Sequence, residues 1–103
     1  MRKLVVIAPE GELDVARIGD FRDALCDAAR ETVNRVVVDL SSVSFIDASG
    51  LGAVFEVHKR LRREKRQLAV VAPEGTAVAV MLTLTGFRGR LQIFETRQVA
   101  LES

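Results

Sequence analysis

Val36-Val37-Val38-Asp39-Leu40-Ser41-Ser42-Val43-Ser44-Phe45-Ile46-Asp47-Ala48-Ser49-Gly50-Leu51-Gly52 is the stretch on which the reading of this chain turns. Val36 to Val38 are a β-branched run of the length of a buried strand. The Ser-rich segment behind them reads as a loop, held to a core by Val43, Phe45 and Ile46. Asp47-Ala48-Ser49-Gly50 then opens a helical pattern with Leu51, Val54, Phe55, His58 and Leu61 along one side. Ser49 falls at or beside a helix N-terminus, where unpaired N–H groups and the positive end of the helix dipole favour an anion.

Two roles are open to Ser49 on this pattern. Ser is a preferred N-cap residue, as is Asp47, and Asp-x-Ser-Gly taken alone points first to capping. The other role is a hydroxyl presented to another protein. Phosphorylated, it would carry about −1.5 to −2 charges at pH 7. The rest of the chain has to decide between them.

On the N-terminal side, Leu4-Val5-Val6-Ile7 reads as a strand ended by Pro9, and Gly11-Glu12-Leu13-Asp14 as a turn into a very short strand. Asp14 is a candidate N-cap for a helix in which Ile18, Phe21, Leu25 and Ala28 or Ala29 form one apolar stripe. Arg22, Asp23, Asp27 and Arg30 of that helix face water. On the C-terminal side, Gln67 to Ala72 reads as a strand stopped by Pro73, and Thr76 to Leu84 as a third helix. Val78, Leu82 and one of Met81 or Leu84 point inward, and Gly86 suits the left-handed position past the helix end. Leu91 to Phe94 is a short last strand and Thr96 to Leu101 a short final helix. Strands alternating with helices define an α/β fold, and 103 residues suffice for one domain and one core.

Composition narrows the function classes. A net charge of +1 is not the strongly basic footprint of a nucleic-acid binder. The apolar run Leu4 to Ala8 is too short for the central region of a signal peptide, and Ala77 to Leu82 is far from a membrane span. Cys26 is the only cysteine, so no internal disulfide forms and a reducing, cytoplasmic setting fits; its helical position suggests core packing. His58 has no second His, Cys or acidic group at ligand spacing, so neither a metal nor another cofactor is expected. The run His58 to Arg66 holds six Lys or Arg in nine positions. It reads as a solvated face that complements the negative C-terminal end of the Ser49 helix.

Catalysis finds no support. Ala48-Ser49-Gly50 is not a nucleophile elbow, because Asp47 stands where the first Gly belongs. His58 lies nine residues along the same helix, beyond hydrogen-bond reach, and the chain has no other His. Gly50-Leu51-Gly52 lacks the third Gly of a dinucleotide fingerprint and the Lys of a P-loop.

Taken as an ordered set, Gly11-Glu12-Leu13-Asp14, Val37-Val38-Asp39-Leu40, Phe45-Ile46-Asp47-Ala48-Ser49-Gly50-Leu51-Gly52 and Leu84-Thr85-Gly86-Phe87 resemble the STAS domain. The likeness is strongest to its small bacterial anti-sigma factor antagonists and covers residues 1–103. It implies a small mixed sheet of four to five parallel and antiparallel strands with about four helices. It also implies a partner switch. An anti-sigma factor with a histidine-kinase-like ATPase domain binds the unphosphorylated antagonist and frees its sigma factor. That kinase then phosphorylates a Ser or Thr at the start of the second helix, and a PP2C-type phosphatase resets it. The family's Asp-Ser/Thr-Ser/Thr-Gly motif falls on Asp47, Ala48, Ser49 and Gly50. Ala48 departs from it, leaving Ser49 as the only phosphoacceptor candidate in the motif. Asp14, Asp47, Ala48, Ser49, Gly50, Leu51 and Gly52 are the expected partner-binding residues. A monomer is expected. The alternatives are a constitutive regulatory subunit of a transporter or signalling assembly, and a small-anion or nucleotide sensor at the same helix N-terminus.

Overall fold

Val36, Val37, Val38 and Leu40 are each shielded completely from solvent, and the sheet is built on their strand. The computed structural model describes residues 4–103; the Met1-Arg2-Lys3 head lies outside them. In chain order the elements are β1 (Leu4–Ile7), β2 (Gly11–Leu13), α1 (Ile18–Arg30), β3 (Arg35–Asp39), β4 (Val43–Ile46), α2 (Ala48–Arg63), β5 (Gln67–Val71), α3 (Ala77–Thr85), a 3-10 turn (Phe87–Gly89), β6 (Gln92–Phe94) and α4 (Arg97–Glu102). The main sheet has the order β1-β3-β5-β6, and β2 pairs with β4 in a second, two-stranded sheet.

Every strand pairing among the described residues is parallel, which corrects the mixed parallel and antiparallel sheet implied by the resemblance. The connections explain it. α1, α2 and α3 each carry the chain back to the end where the next strand of the main sheet starts, as a parallel pair requires. A second correction concerns Val43 to Ile46. The Ser-rich loop is a strand, because Glu12 and Leu13 of β2 pair with Phe45 and Ile46 and bury Val43 and Ile46.

Alternation along β3 and β5 separates two faces. Val36, Val38, Leu68 and Val70 join the main core with Phe21 and Leu25 of α1, Leu51, Val54, Val57 and Leu61 of α2, and Val78 and Leu82 of α3. Leu25, Leu51 and Leu61 are at most 1% exposed, and burying such a side chain contributes about 2 kcal/mol. Val57 takes the inward place on α2, while Phe55 and His58 are half-buried at its flank. On α3, Met81 is half-buried and Leu84 is exposed. Thr76 caps α3 by accepting from the Ala79 N–H at 3.2 Å, and Gly86 ends it at φ 82°.

Val37, Ala69 and Val71 line the opposite face beneath Ala100 of α4 and Phe94. Two side chains of β3 fasten α4 there. Arg35 donates to the Ala100 carbonyl at 2.5 Å and to the Ser103 hydroxyl. Asp39, 7% exposed, accepts from Arg97 Nε at 2.8 Å and from the backbone and hydroxyl of Ser41.

The parallel order gives the molecule two unlike poles. Strands begin and α1 to α3 end at one pole, which carries Arg30, Arg35, Arg62, Arg63, Lys65, Arg66 and Arg90. Strands end and α2 and α3 begin at the other, with Glu10, Asp39, Asp47, Glu74 and Glu95. Glu31, Glu64 and Glu102 offset part of the first set and Arg17 and Arg97 part of the second, and the balance leaves the two poles of opposite sign.

Candidate functional site

Asp47 settles the capping question. Its Oδ1 accepts from the N–H groups of Ser49 at 2.9 Å and Gly50 at 3.2 Å, so Asp47 is the N-cap of α2. Its Oδ2 accepts from the Val15 N–H at 3.1 Å, and its own N–H donates to the Leu13 carbonyl at 3.3 Å. One carboxylate therefore ties the start of α2 to the segment after β2. Ser49 occupies the second helical position, half-buried, and its hydroxyl forms no hydrogen bond with the described residues.

Gly50 and Leu51 shape the site from below. A Cβ on Gly50 would lie 2.6 Å from Ile46 Cγ1 and 3.0 Å from the Leu13 carbonyl oxygen. Leu51 is 1% exposed and anchors the first turn in the core. Ala48 is exposed, and Ser49 and Gly52 are half-exposed on the outward side. These three, with Arg22, Leu25, Cys26 and Glu56, line a mainly apolar groove of about 450 Å³ between α1 and α2.

Asp14 is near this surface but does not cap α1, which starts four residues later at Ile18. It accepts instead from the N–H groups of Ala16 at 3.1 Å and Arg17 at 3.0 Å, closing the turn before the helix. Arg17 also bridges it at 2.6 Å and Glu12 at 3.0 Å, one guanidinium shared between two carboxylates. Sequence reasoning missed Val15, Arg17, Arg22 and Glu56. Arg22 and Cys26 stand four apart on α1, but nothing in the sequence says which helix they meet. Cys26 is half-buried in the groove wall and not in the core.

Arg66 departs from the solvated face assigned to its run. Its guanidinium donates to the carbonyls of Ala29 at 2.7 Å, Glu31 at 2.8 Å and Val33 at 3.2 Å, satisfying the C-terminal end of α1. His58 stacks obliquely on Phe55, with centroids 5.7 Å apart. Burial first, then the charge of Arg62, pushes its pKa below the ordinary value. Among the described residues no three His, Cys, Asp or Glu side chains gather as a metal site. Among the described residues no helix is long and apolar enough to cross a membrane.

The start of α2 thus combines a free hydroxyl on a rigid helix turn, a small-residue surface and an apolar groove. Comparison with known proteins gives the family. The profile of the STAS domain matches residues 2–100, and this chain belongs to the STAS-domain family. The anti-sigma-B factor antagonist of Staphylococcus epidermidis is 26% identical over 89 residues, 86% of this chain and 82% of that protein. An anti-sigma factor antagonist from Mycobacterium paratuberculosis has a crystal structure matching with TM-score 0.86 at 27% identity, covering 95% of this chain and 83% of that one. The probable sulfate transporter 3.4 of Arabidopsis thaliana is 34% identical over 85 residues. That match covers 72% of this chain but 13% of the transporter.

Proposed function

We propose that this chain is an anti-sigma factor antagonist, acting as one domain, whose binding is switched off by phosphorylation of Ser49. Its partners in this reading are an anti-sigma factor with a histidine-kinase-like ATPase domain, which is also the Ser49 kinase, and a PP2C-type phosphatase. The observation that carries the reading is the division of labour at the α2 start. Asp47 caps the helix, so the Ser49 hydroxyl has no structural task there.

The physical mechanism is local charge. A neutral hydroxyl beside an apolar groove is covered by a partner at small desolvation cost. A phosphate on Ser49 sits at the positive end of α2 and is tolerated in the free protein. In a complex it must be desolvated beside the Asp47 carboxylate. A penalty of about 3 kcal/mol weakens binding roughly a hundredfold. Asp47, Ala48, Ser49 and Gly52 supply contact surface, Asp14 lies beside them, and Gly50 and Leu51 keep the turn rigid.

A second reading, a constitutive subunit of a larger assembly, is favoured by the similarity to the sulfate transporter segment. One experiment separates the two. Wild type, Ser49→Ala and Ser49→Asp are used as baits in source-cell lysate, and captured proteins are identified by mass. Retention of an ATPase-type anti-sigma factor by wild type and Ser49→Ala, with loss on Ser49→Asp, supports the switch. Equal capture of one partner by all three supports the constitutive subunit.

A further inference from the structure

The basic pole holds a second concavity, on the side away from Ser49. It is a groove of about 500 Å³ where the end of α2 meets the starts of β5 and β6. Arg62, Lys65 and Arg90 are exposed on its rim and make no ion pair among the described residues. Gln67 and Gln92 add amide groups, and no carboxylate lines it. The volume is in the range of small-molecule sites.

These side chains are not used to cap α2. Two of its last carbonyls already have backbone donors. Leu61 O accepts from the N–H groups of Glu64 at 3.0 Å and Arg66 at 2.8 Å, and Arg62 O from Lys65 at 3.0 Å. Two further observations mark the place. Lys65 holds a left-handed conformation, φ 60°, and is the one non-glycine residue with positive φ among those described. Such a position is ordinarily given to Gly or Asn, and keeping a lysine there costs backbone strain. His58 also lines the groove, and its buried Nδ1 has no hydrogen-bond partner among the described residues.

We infer that this groove binds a phosphate-bearing small ligand of at least two negative charges, held by Arg62, Lys65 and Arg90. The donor set selects phosphate over a simple carboxylate. Three separate cations call for several charges and several acceptor oxygens, which a phosphate monoester, pyrophosphate or phosphorylated headgroup supplies and one carboxylate does not. The concavity favours a small ligand over a nucleic-acid backbone. The site lies about 20 Å from Ser49 along α2, so it stands or falls independently of the phosphorylation switch.

The test is an amide-shift titration of the whole chain with inorganic pyrophosphate at fixed ionic strength, against chloride as control. Saturable shifts at residues 58–68 and 88–92 are expected. The double variant Arg62→Gln with Lys65→Gln should weaken binding at least tenfold while its spectrum elsewhere stays folded. Vesicles of phosphatidylinositol phosphate and of phosphatidylcholine form a second arm. Retention on phosphatidylinositol phosphate alone, competed by pyrophosphate, names a lipid headgroup as the source. Pyrophosphate binding without retention names a soluble phosphate ester. Non-saturating shifts, shifts centred on residues 47–52, or vesicle binding that pyrophosphate does not compete, would each overturn the inference.

Discussion

Two glycines two residues apart in the first turns of α2 make opposite predictions. Gly50→Ala forces a methyl group against Ile46 and the Leu13 carbonyl, and that backbone oxygen cannot swing away. A loss of about 1–3 kcal/mol is expected, read as a lower urea midpoint at unchanged slope. Gly52 has no atom within 4 Å of an added Cβ, so Gly52→Ala should gain up to about 1 kcal/mol from helix propensity. Asp47→Ala removes the cap and the tie to Val15, and should cost about 1–2 kcal/mol in the same assay. The sequence showed that a cap belonged here but not which residue provides it. Asp47 and Ser49 are both cap-forming types, and the choice rests on backbone angles: Asp47 is extended at φ −109°, ψ −172°, with Ser49 already inside the helix.

The helices were legible because their apolar spacing is local. Ile18, Phe21, Leu25, Ala28 and Ala29 of α1 are all buried, as their stripe requires. Where an element depends on a distant partner, the pattern fell short. β4 reads as a loop from Ser41, Ser42 and Ser44, and only pairing with β2, some thirty residues earlier, makes it a strand. Arg66 sits in a run of cations, yet its bonds reach carbonyls 33 to 37 residues back. Arg66→Ala should therefore destabilise by about 2 kcal/mol, and Arg66→Lys should recover little, since one ammonium cannot span three carbonyls. One residue earlier, Lys65→Gly should raise the thermal midpoint, because glycine takes φ 60° without strain.

The folded chain as a unit should lose stability in two steps as pH falls. His58 has its folded pKa below the ordinary 6.5, through burial and then Arg62. Below that value the unfolded state binds the proton first, so stability declines as pH falls from about 6.5 through the folded pKa. For Asp39, burial opposes ionisation but is outweighed by the Ser41 hydroxyl and N–H and by Arg97, leaving the pKa below 3.8. The stability it provides is present above that value and is lost as pH falls through the folded pKa. Urea midpoints between pH 8 and 3 should show both declines. His58→Gln should flatten the first and leave the second.

The parallel sheet has a consequence for how the molecule meets others. With cations gathered where its strands begin and carboxylates where they end, the chain is an electric dipole, despite a net charge of +1. In the field of a charged partner it rotates before contact, and encounters are sorted by orientation. For a partner that presents a cationic surface to the Ser49 pole, the association rate should drop as sodium chloride rises from about 0.01 to 0.15 M, over which the Debye length shortens from about 30 to 8 Å. The dissociation rate, set by short-range packing in the groove, should hardly change. Stopped-flow measurements of both rates across that range would show a protein that is aimed before it is bound.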